Sequence, residues 1–484
     1  MINFLLLLIA FIFLLFEFLF NTMILQNQFY SLKRFFLILK TKKKHIALKL
    51  FLIFLCVFLI NKSNYFIFIV FLSCVHKNKN MKITFTNRTK RFLLIFIILF
   101  AFNIPLSFLL TKYNYIKFIM ITYNLLLYYI SHFVSIAIES IIQKYYIKNA
   151  KRKLKFIKPV VIGITGSFGK TSVKNYATTL LKEKYNVLSS PKSYNTLMGI
   201  TKTINEQLKP YHQVLILEIG VDKKNGMNKF LKNYQFDIGV VTCVGKQHLK
   251  TFKKLDNIYN EKKKILDNAT YASIYRVEDY DQKQIKAPSS INFSSKSSAD
   301  IKVNKENDKV IIYYKNNIIE SKTKLIGEHN LSNLACALSI AFLLNVDCDD
   351  IKKTLPTINN VEHRLNILTM NNWILLDDSY NSNHIGFINA LKTLNEFKMK
   401  KVLITPGIIE QNKESIGEEI SLSTLINDIV DIVILIKKPK IKQYINHYIE
   451  FNSFNEAIEY LKMNYINEQL AILIENDLPE IYLR

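Results

Sequence analysis

Residues 160–171, VVIGITGSFGKT, constrain this chain more than any other stretch. Three β-branched residues, Val160, Val161 and Ile162, run into a turn punctuated by glycine, and Lys170 and Thr171 open a segment with helical spacing. Strand, glycine-rich loop and helix in that order describe a cradle for a nucleotide triphosphate. Gly166, Ser167 and Gly169 allow backbone N–H groups to face an anion, and the helix N-terminus adds partial positive charge. Lys170 then reaches the β- and γ-phosphates while the Thr171 hydroxyl is offered to Mg²⁺. One irregularity stands out, because Ile164 occupies the place where the common spacing wants glycine.

The 484 residues leave room for roughly three domains of about 150 residues. A net charge of +27 suits either nucleic acid or an anionic surface, so the charge has to be read by position. Residues 3–20 are almost wholly apolar, shorter apolar runs follow at 50–60 and 65–75, and longer ones at 92–110 and 115–142. Lys33, Arg34, Lys40 and Lys42 crowd one intervening loop, Lys77, Lys79, Arg88 and Arg91 another, and the turns near Lys62 and Lys112 are nearly bare. By the positive-inside rule the expectation is a region of about four or five transmembrane helices over residues 1–150, in a multi-pass protein of the bacterial inner membrane with its catalytic part in the cytoplasm. Membrane association then accounts for much of the charge, and a nucleic-acid partner is not expected. The five cysteines show no CxxC spacing, which argues against a zinc site or a disulfide framework.

Beyond the phosphate loop, helical spacing covers residues 172–184, and short apolar strands are expected at 187–190, 214–219 and 237–243. Glu218 closes the second of these. A carboxylate at the C-terminal end of a strand, in a sheet whose first strand feeds a phosphate loop, sits where Mg²⁺ is held. His248 follows the third strand end of the same sheet. Glu261, Lys262, Lys263 and Lys264 fall on the next helix, where Lys263 and Lys264 read as a solvated face. Residues 270–324 alternate as β-hairpins without recognisable chemistry, and residues 327–333 (GEHNLSN) cap an Ala-rich helix.

These motifs, with His363-Arg364 and residues 377–383 (DDSYNSN), resemble the Mur ligases, ATP-dependent amide-forming enzymes of peptidoglycan synthesis. The resemblance runs from about residue 156 to the C-terminus. Residues 377–383 resemble the DDxYNANP element of the members that add D-alanyl-D-alanine, and residues 405–407 (TPG) and 475–479 (ENDLP) look like the same subgroup. The resemblance implies catalytic roles for Lys170, Lys262, His248 and Arg364. It implies nucleotide contacts from Gly166, Ser167, Gly169, Lys170, Thr171, Asn333, Arg364, Asp378, Tyr380 and Asn381. Two Mg²⁺ ions would be held by Thr171, Glu218, His248 and Lys262, the lysine as its carbamate. Phe168, Lys264 and His384 depart from the family pattern, and no UDP-binding domain is recognisable before residue 156, where the apolar runs stand in its place.

The expected fold is therefore α/β: transmembrane helices over 1–150, an ATP-binding central domain over 156–366 with a mostly parallel sheet, and a Rossmann-like domain over 367–484. The substrates implied are UDP-N-acetylmuramoyl-tripeptide and D-alanyl-D-alanine, with other cell-wall synthesis proteins as further partners. Two alternatives remain open at this stage. One is a ligase acting on a lipid-linked peptidoglycan precursor, and the other is a membrane ATPase or transport regulator.

Overall fold

The computed structural model describes residues 84–101, 114–191, 194–379, 384–408, 416–437 and 439–475, together with Leu19, Thr22 and Gln26. The chain divides into two compact units, Met1–Tyr145 and Tyr146–Arg484.

In the first unit, helix α1 (Asn87–Ala101) and the start of α2 (Asn114–Ile157) are described. Arg91 on α1 forms an ion pair with the buried Glu139 on α2, at 2.5 Å. The expected membrane region is not found, because among the described residues no helix is long and apolar enough to cross a membrane. At about 1.5 Å per residue, the 15 residues of α1 fall short of a hydrocarbon core of about 30 Å. The apolar stretch of α2 is interrupted by Lys117, Asn124, His132 and Glu139. The runs at 50–60 and 65–75, and all of 3–20 except Leu19, lie outside the described residues. A multi-pass inner-membrane location, a membrane partner and a membrane region standing in for a UDP-binding domain all lose their support with this result.

The second unit is built on two sheets. Strand β1 (Val160–Thr165) feeds α3 (Lys170–Leu181), and β2 (Val187–Ser189), α4 (Leu197–Gln207), β3 (Val214–Glu218), α5 (Met227–Leu231) and β4 (Ile238–Val241) follow. Next come the short α6 (Leu249–Phe252), α7 (Leu255–Asp267), β5 (Ala272–Arg276), β6 (Ser290–Ser294), β7 (Ile301–Glu306), β8 (Lys309–Tyr314) and β9 (Asn317–Lys322). The nine strands lie in the order β2-β3-β1-β4-β5-β6-β7-β8-β9, parallel through β7 and antiparallel across β8 and β9. The hairpins expected from alternation are thus confined to β7–β9, while β5 and β6 extend the parallel sheet.

Both faces of this sheet are covered, so its strands are apolar on both sides instead of alternating with polar residues. Ile162 and Ile164 pack with Val173, Tyr176 and Leu180 of α3 and with α8 (Glu328–Leu343). Val161, Leu215 and Leu217 face the other way, onto Ile200 and Ile204 of α4 and Ile265 of α7. The register Ile164↔Glu218 and Thr165↔Val241 brings the C-terminal ends of β3 and β4 beside the phosphate loop.

After α9 (Cys348–Thr354), the chain enters β10 (Asn366–Met370), β11 (Trp373–Asp378), α10 (His384–Asn395), β12 (Lys400–Thr405) and α11 (Ile416–Ile429). It ends in β13 (Ile432–Ile436), β14 (Ile449–Phe451), α12 (Phe454–Tyr465) and β15 (Leu470–Glu475). The six strands lie in the order β10-β11-β15-β12-β13-β14, all parallel except the β10–β11 hairpin. Doubly covered parallel sheets of this kind place reactive side chains at the C-terminal ends of their strands.

Candidate functional site

The phosphate loop folds as the glycines require. Gly169 has a φ of +78°, which L side chains rarely adopt, and a Cβ there would lie 2.1 Å from Asn333 Oδ1. A Cβ on Gly166 would collide with the Thr242 hydroxyl at 1.9 Å. The loop is laced to the chain beyond β4. Ser167 Oγ donates to the Gly245 carbonyl at 3.0 Å and accepts from the Gly245 N–H at 3.0 Å, and the Thr242 hydroxyl donates to the Phe168 carbonyl. Cys243 Sγ lies 3.5 Å from that same carbonyl, and burial pushes its thiol pKa up.

Lys170 Nζ donates to the Gly166 and Ser167 carbonyls, at 2.8 and 3.1 Å. Burial lowers its pKa; the nearby Arg364 pushes in the same direction, against the Glu218 carboxylate. One turn along α3, Lys174 forms an ion pair with Glu218 Oε2 at 3.3 Å, each side chain only 2% exposed. Thr171 Oγ1 donates to the same Oε2 at 3.0 Å, and Asn195 Nδ2 donates to Oε1 at 3.3 Å. Glu218 is therefore a buried carboxylate with three donors, two of them from the phosphate-loop helix. Lys174 and Asn195 escaped the sequence reading, although Lys174 sits one turn past Lys170, where a polar residue on an inward face was the available signal.

On α7, the lysines separate cleanly. Lys263 pairs with Asp267 and Lys264 with Glu261, at 2.9 Å each. Glu261 in turn accepts from the backbone N–H groups of Asn225 and Met227. Lys262 alone is buried, 2% exposed, and its pKa falls well below the ordinary value, first because of burial and then because the Lys170 charge is near. His248 follows β4 in the left-handed region, φ 53°, at the start of α6. The backbone leading to it is fixed by Asp279. That carboxylate accepts from Val244 N at 2.9 Å and is gripped by Arg276 at 2.8 and 3.1 Å.

Asn333 lies inside α8, not at its cap, with its side chain on Gly169 and its Nδ2 directed to Asn330 Oδ1 at 3.3 Å. Tyr176 and the Ile326 carbonyl hold Asn330 in place. The Arg364 charge bears on Lys170, His329 and Asp378, residues of both sheets. Burial, with Arg364 beside it, lowers the His329 pKa to about 4, so its imidazole is neutral near pH 7. Asp378 ends β11, accepts from Leu365 N at 3.1 Å, and has its pKa pushed up to about 6 by burial against the pull of Arg364. Tyr380 and Asn381 lie outside the described residues.

Among the described residues, no group of three or more His, Cys, Asp and Glu side chains is arranged to hold a metal ion. The metal set expected from the sequence contains only Glu218 and His248 from those types; its other members are a hydroxyl and a lysine. The donor chemistry fits a hard cation nonetheless, since Thr171 and Glu218 present two oxygens 3.0 Å apart at the start of α3.

A strand-borne phosphate loop, a carboxylate on the adjacent strand end and a second α/β sheet together make a two-sheet α/β scaffold suited to a nucleotide phosphate. Residues 164–341 match the family model for the Mur ligase middle domain. The chain is 27% identical over 332 residues to the UDP-N-acetylmuramoyl-tripeptide–D-alanyl-D-alanine ligase of Buchnera aphidicola from Baizongia pistaciae, covering 65% of this chain and 71% of that protein. It is equally 27% identical, over 327 residues, to the UDP-N-acetylmuramoylalanine–D-glutamate ligase of Christiangramia forsetii, covering 63% and 68%. The MurF ligase of Thermotoga maritima in complex with ADP superposes with a TM-score of 0.62 at 21% identity, over 69% of this chain and 80% of that one, and shares the fold. Over residues 164–341 the chain is thus similar to the Mur ligase middle domain.

Proposed function

We propose that this chain is an ATP-dependent peptide ligase that adds D-alanyl-D-alanine to UDP-N-acetylmuramoyl-tripeptide in peptidoglycan precursor synthesis. The observation that carries the reading is the Lys170–Thr171–Glu218 constellation at the head of α3, set in a Mur ligase middle domain. Equal identity to two ligases of different specificity leaves the choice of substrate to residues 377–383, whose DDSYNSN pattern resembles the D-alanyl-D-alanine-adding members.

A carboxylate is a poor electrophile, so the γ-phosphoryl group of ATP is first transferred to the peptide carboxylate to give an acyl phosphate and ADP. The dipeptide's free amine then attacks the acyl carbon, forming the amide and expelling phosphate. Gly166, Ser167 and Gly169 cradle the phosphates, and Lys170 offsets charge on the transferred group. Asn333, beside Gly169, serves the nucleotide together with Arg364, Asp378, Tyr380 and Asn381. Thr171, Glu218 and His248 would hold Mg²⁺, which when bound supplies further charge neutralisation at the phosphates. Lys262 is the amine for carbamylation. Its burial beside Lys170 favours the neutral amine, the form that adds CO₂, and the resulting carbamate would supply an anion for a second Mg²⁺. The division of labour follows the sheets, with the nucleotide on residues 156–366 and residues 367–484 closing over it to keep water from the acyl phosphate.

The test is phosphate release from Mg-ATP by the purified chain. Release should require both UDP-N-acetylmuramoyl-tripeptide and D-alanyl-D-alanine. Turnover of ATP without the dipeptide would defeat the ligase reading and favour an ATPase.

A further inference from the structure

The turn that carries Arg364 is held in an unusual backbone state. His363 and Leu365, the residues on either side, both adopt left-handed conformations, with φ values of 60° and 53°. Such conformations persist in non-glycine residues only where the surroundings over-determine them. The surroundings here are two carboxylates at the end of β11. Asp377 Oδ2 meets His363 Nδ1 at 2.6 Å, and Asp378 Oδ1 accepts from Leu365 N at 3.1 Å. Asp377 is itself fixed by Ser379, whose hydroxyl donates to Oδ1 at 2.6 Å.

Asp378 is fixed from the neighbouring strand. β11 and β15 run parallel with Asp378 opposite Glu475, and both side chains are buried, 8% and 0% exposed. The register sets the two buried carboxyl groups side by side, where a hydrogen bond can form between them. Two ionised carboxylates can only accept, so a hydrogen bond between them requires a shared proton. The sharing removes one negative charge from a buried site and leaves Asp378 Oδ1 available for Leu365.

Resting on the ligase reading above, we propose that Glu475 is a positioning residue for the nucleotide site, acting through Asp378 to hold the 363–365 turn and thereby Arg364. Arg364 is the cation that bears on both Lys170 and Asp378, so the direction of its guanidinium depends on that turn. Among the described residues, the charged and titratable groups that bear on the pair are Asp377 on β11, and His363 and Arg364 on the turn. His384 on α10, which packs on β15, responds instead to Glu418 and Lys246. Above the pH at which the shared proton leaves, two buried anions face each other. Asp378 is then drawn toward Arg364, and the hold on Leu365 loosens.

The experiment compares the full chain with Glu475→Gln and Glu475→Leu by calorimetric titration of Mg-ATP between pH 5 and 7.5, with circular dichroism to confirm folding. Gln donates an N–H to ionised Asp378 without needing the shared proton. Glu475→Gln should therefore bind within about twofold of wild type at pH 5 and lose the wild-type decline in affinity toward pH 7.5. Glu475→Leu, lacking the donor, should bind about tenfold more weakly at all pH values, with a larger effect on the KM for ATP than on kcat. Wild-type affinity in folded Glu475→Leu, or equal losses in both variants, would overturn the proposal. Should Glu475→Leu fail to fold, an unchanged pH profile in Glu475→Gln would overturn it by itself. Failure of the wild-type chain to bind Mg-ATP would defeat the parent reading, an outcome distinct from failure of the positioning role.

Discussion

Replacement of Lys174 by methionine tests whether Glu218 is held as a poised anion. The two side chains form a 3.3 Å ion pair in which each is 2% exposed, and methionine keeps most of the lysine's length and packing. Removing one partner of a buried pair leaves an uncompensated charge and typically costs about 3–5 kcal/mol. Thr171 and Asn195 continue to donate to Glu218, so the lower end applies, about 3 kcal/mol. For the body Tyr146–Arg484, at an unfolding entropy of about 2.1 cal/mol/K per residue, that lowers the melting temperature by about 4 °C. Adding Glu218→Gln removes the stranded charge, and the double variant should return to within about 1 kcal/mol of wild type. Thermal and urea unfolding of the four proteins measures the cycle. A single Lys174→Met variant within about 1 kcal/mol of wild type, or a double variant less stable than either single one, would refute the reasoning.

Gly169→Ala should abolish nucleotide binding detectable with a fluorescent ATP analogue, because the added Cβ meets both a left-handed φ and the Asn333 amide at 2.1 Å; wild-type binding would show the loop is misread. Lys170→Ala should lose ligation while the melting temperature holds, and retained ligation would place the phosphates elsewhere. Lys262→Ala should keep Mg-ATP binding but lose ligation, and ¹³C-bicarbonate should give a carbamate NMR signal in wild type that the variant lacks. The Asp378 pKa lies above its unfolded value, at about 6, so its stability contribution is fully present below the unfolded pKa and is lost as pH rises through the folded one. Urea unfolding from pH 4 to 7 should therefore show a fall in stability with rising pH that Asp378→Asn removes. An identical profile in Asp378→Asn would refute the assignment.

The legible parts of the site are those written locally. The phosphate loop and Glu218 at a strand end each depend on a motif or a period of a few residues. The four neighbouring charges of residues 261–264 could not be ranked by spacing alone. Burial separates them, because Lys263 and Lys264 find carboxylates on their own helix and Lys262 has none to turn to there. Lys174 with Glu218 and Asp378 with Glu475 join residues 44 and 97 positions apart, the first by packing of α3 on the sheet and the second by strand register, neither of which a local pattern encodes. Asn330 and Asn333 resembled caps because the glycine before them marks a helix start, yet the helix begins at Glu328 and both lie within its first two turns. The front of the chain misled by composition. Apolar content suggested membrane crossing, whereas the described helices there are too short or too interrupted to span a bilayer.

The two left-handed residues flanking Arg364 also decide where the molecule can pivot. Asp377 and Asp378 belong to the second sheet, and they grip His363 and Leu365 before the chain has entered that sheet's first strand. The linker is thus welded to the body it leads into. Any swing of the C-terminal sheet against the nucleotide sheet has to be taken up between α9 and His363. In such a swing Arg364 would travel with the second sheet, so its distance from Lys170 would report the angle between the two sheets.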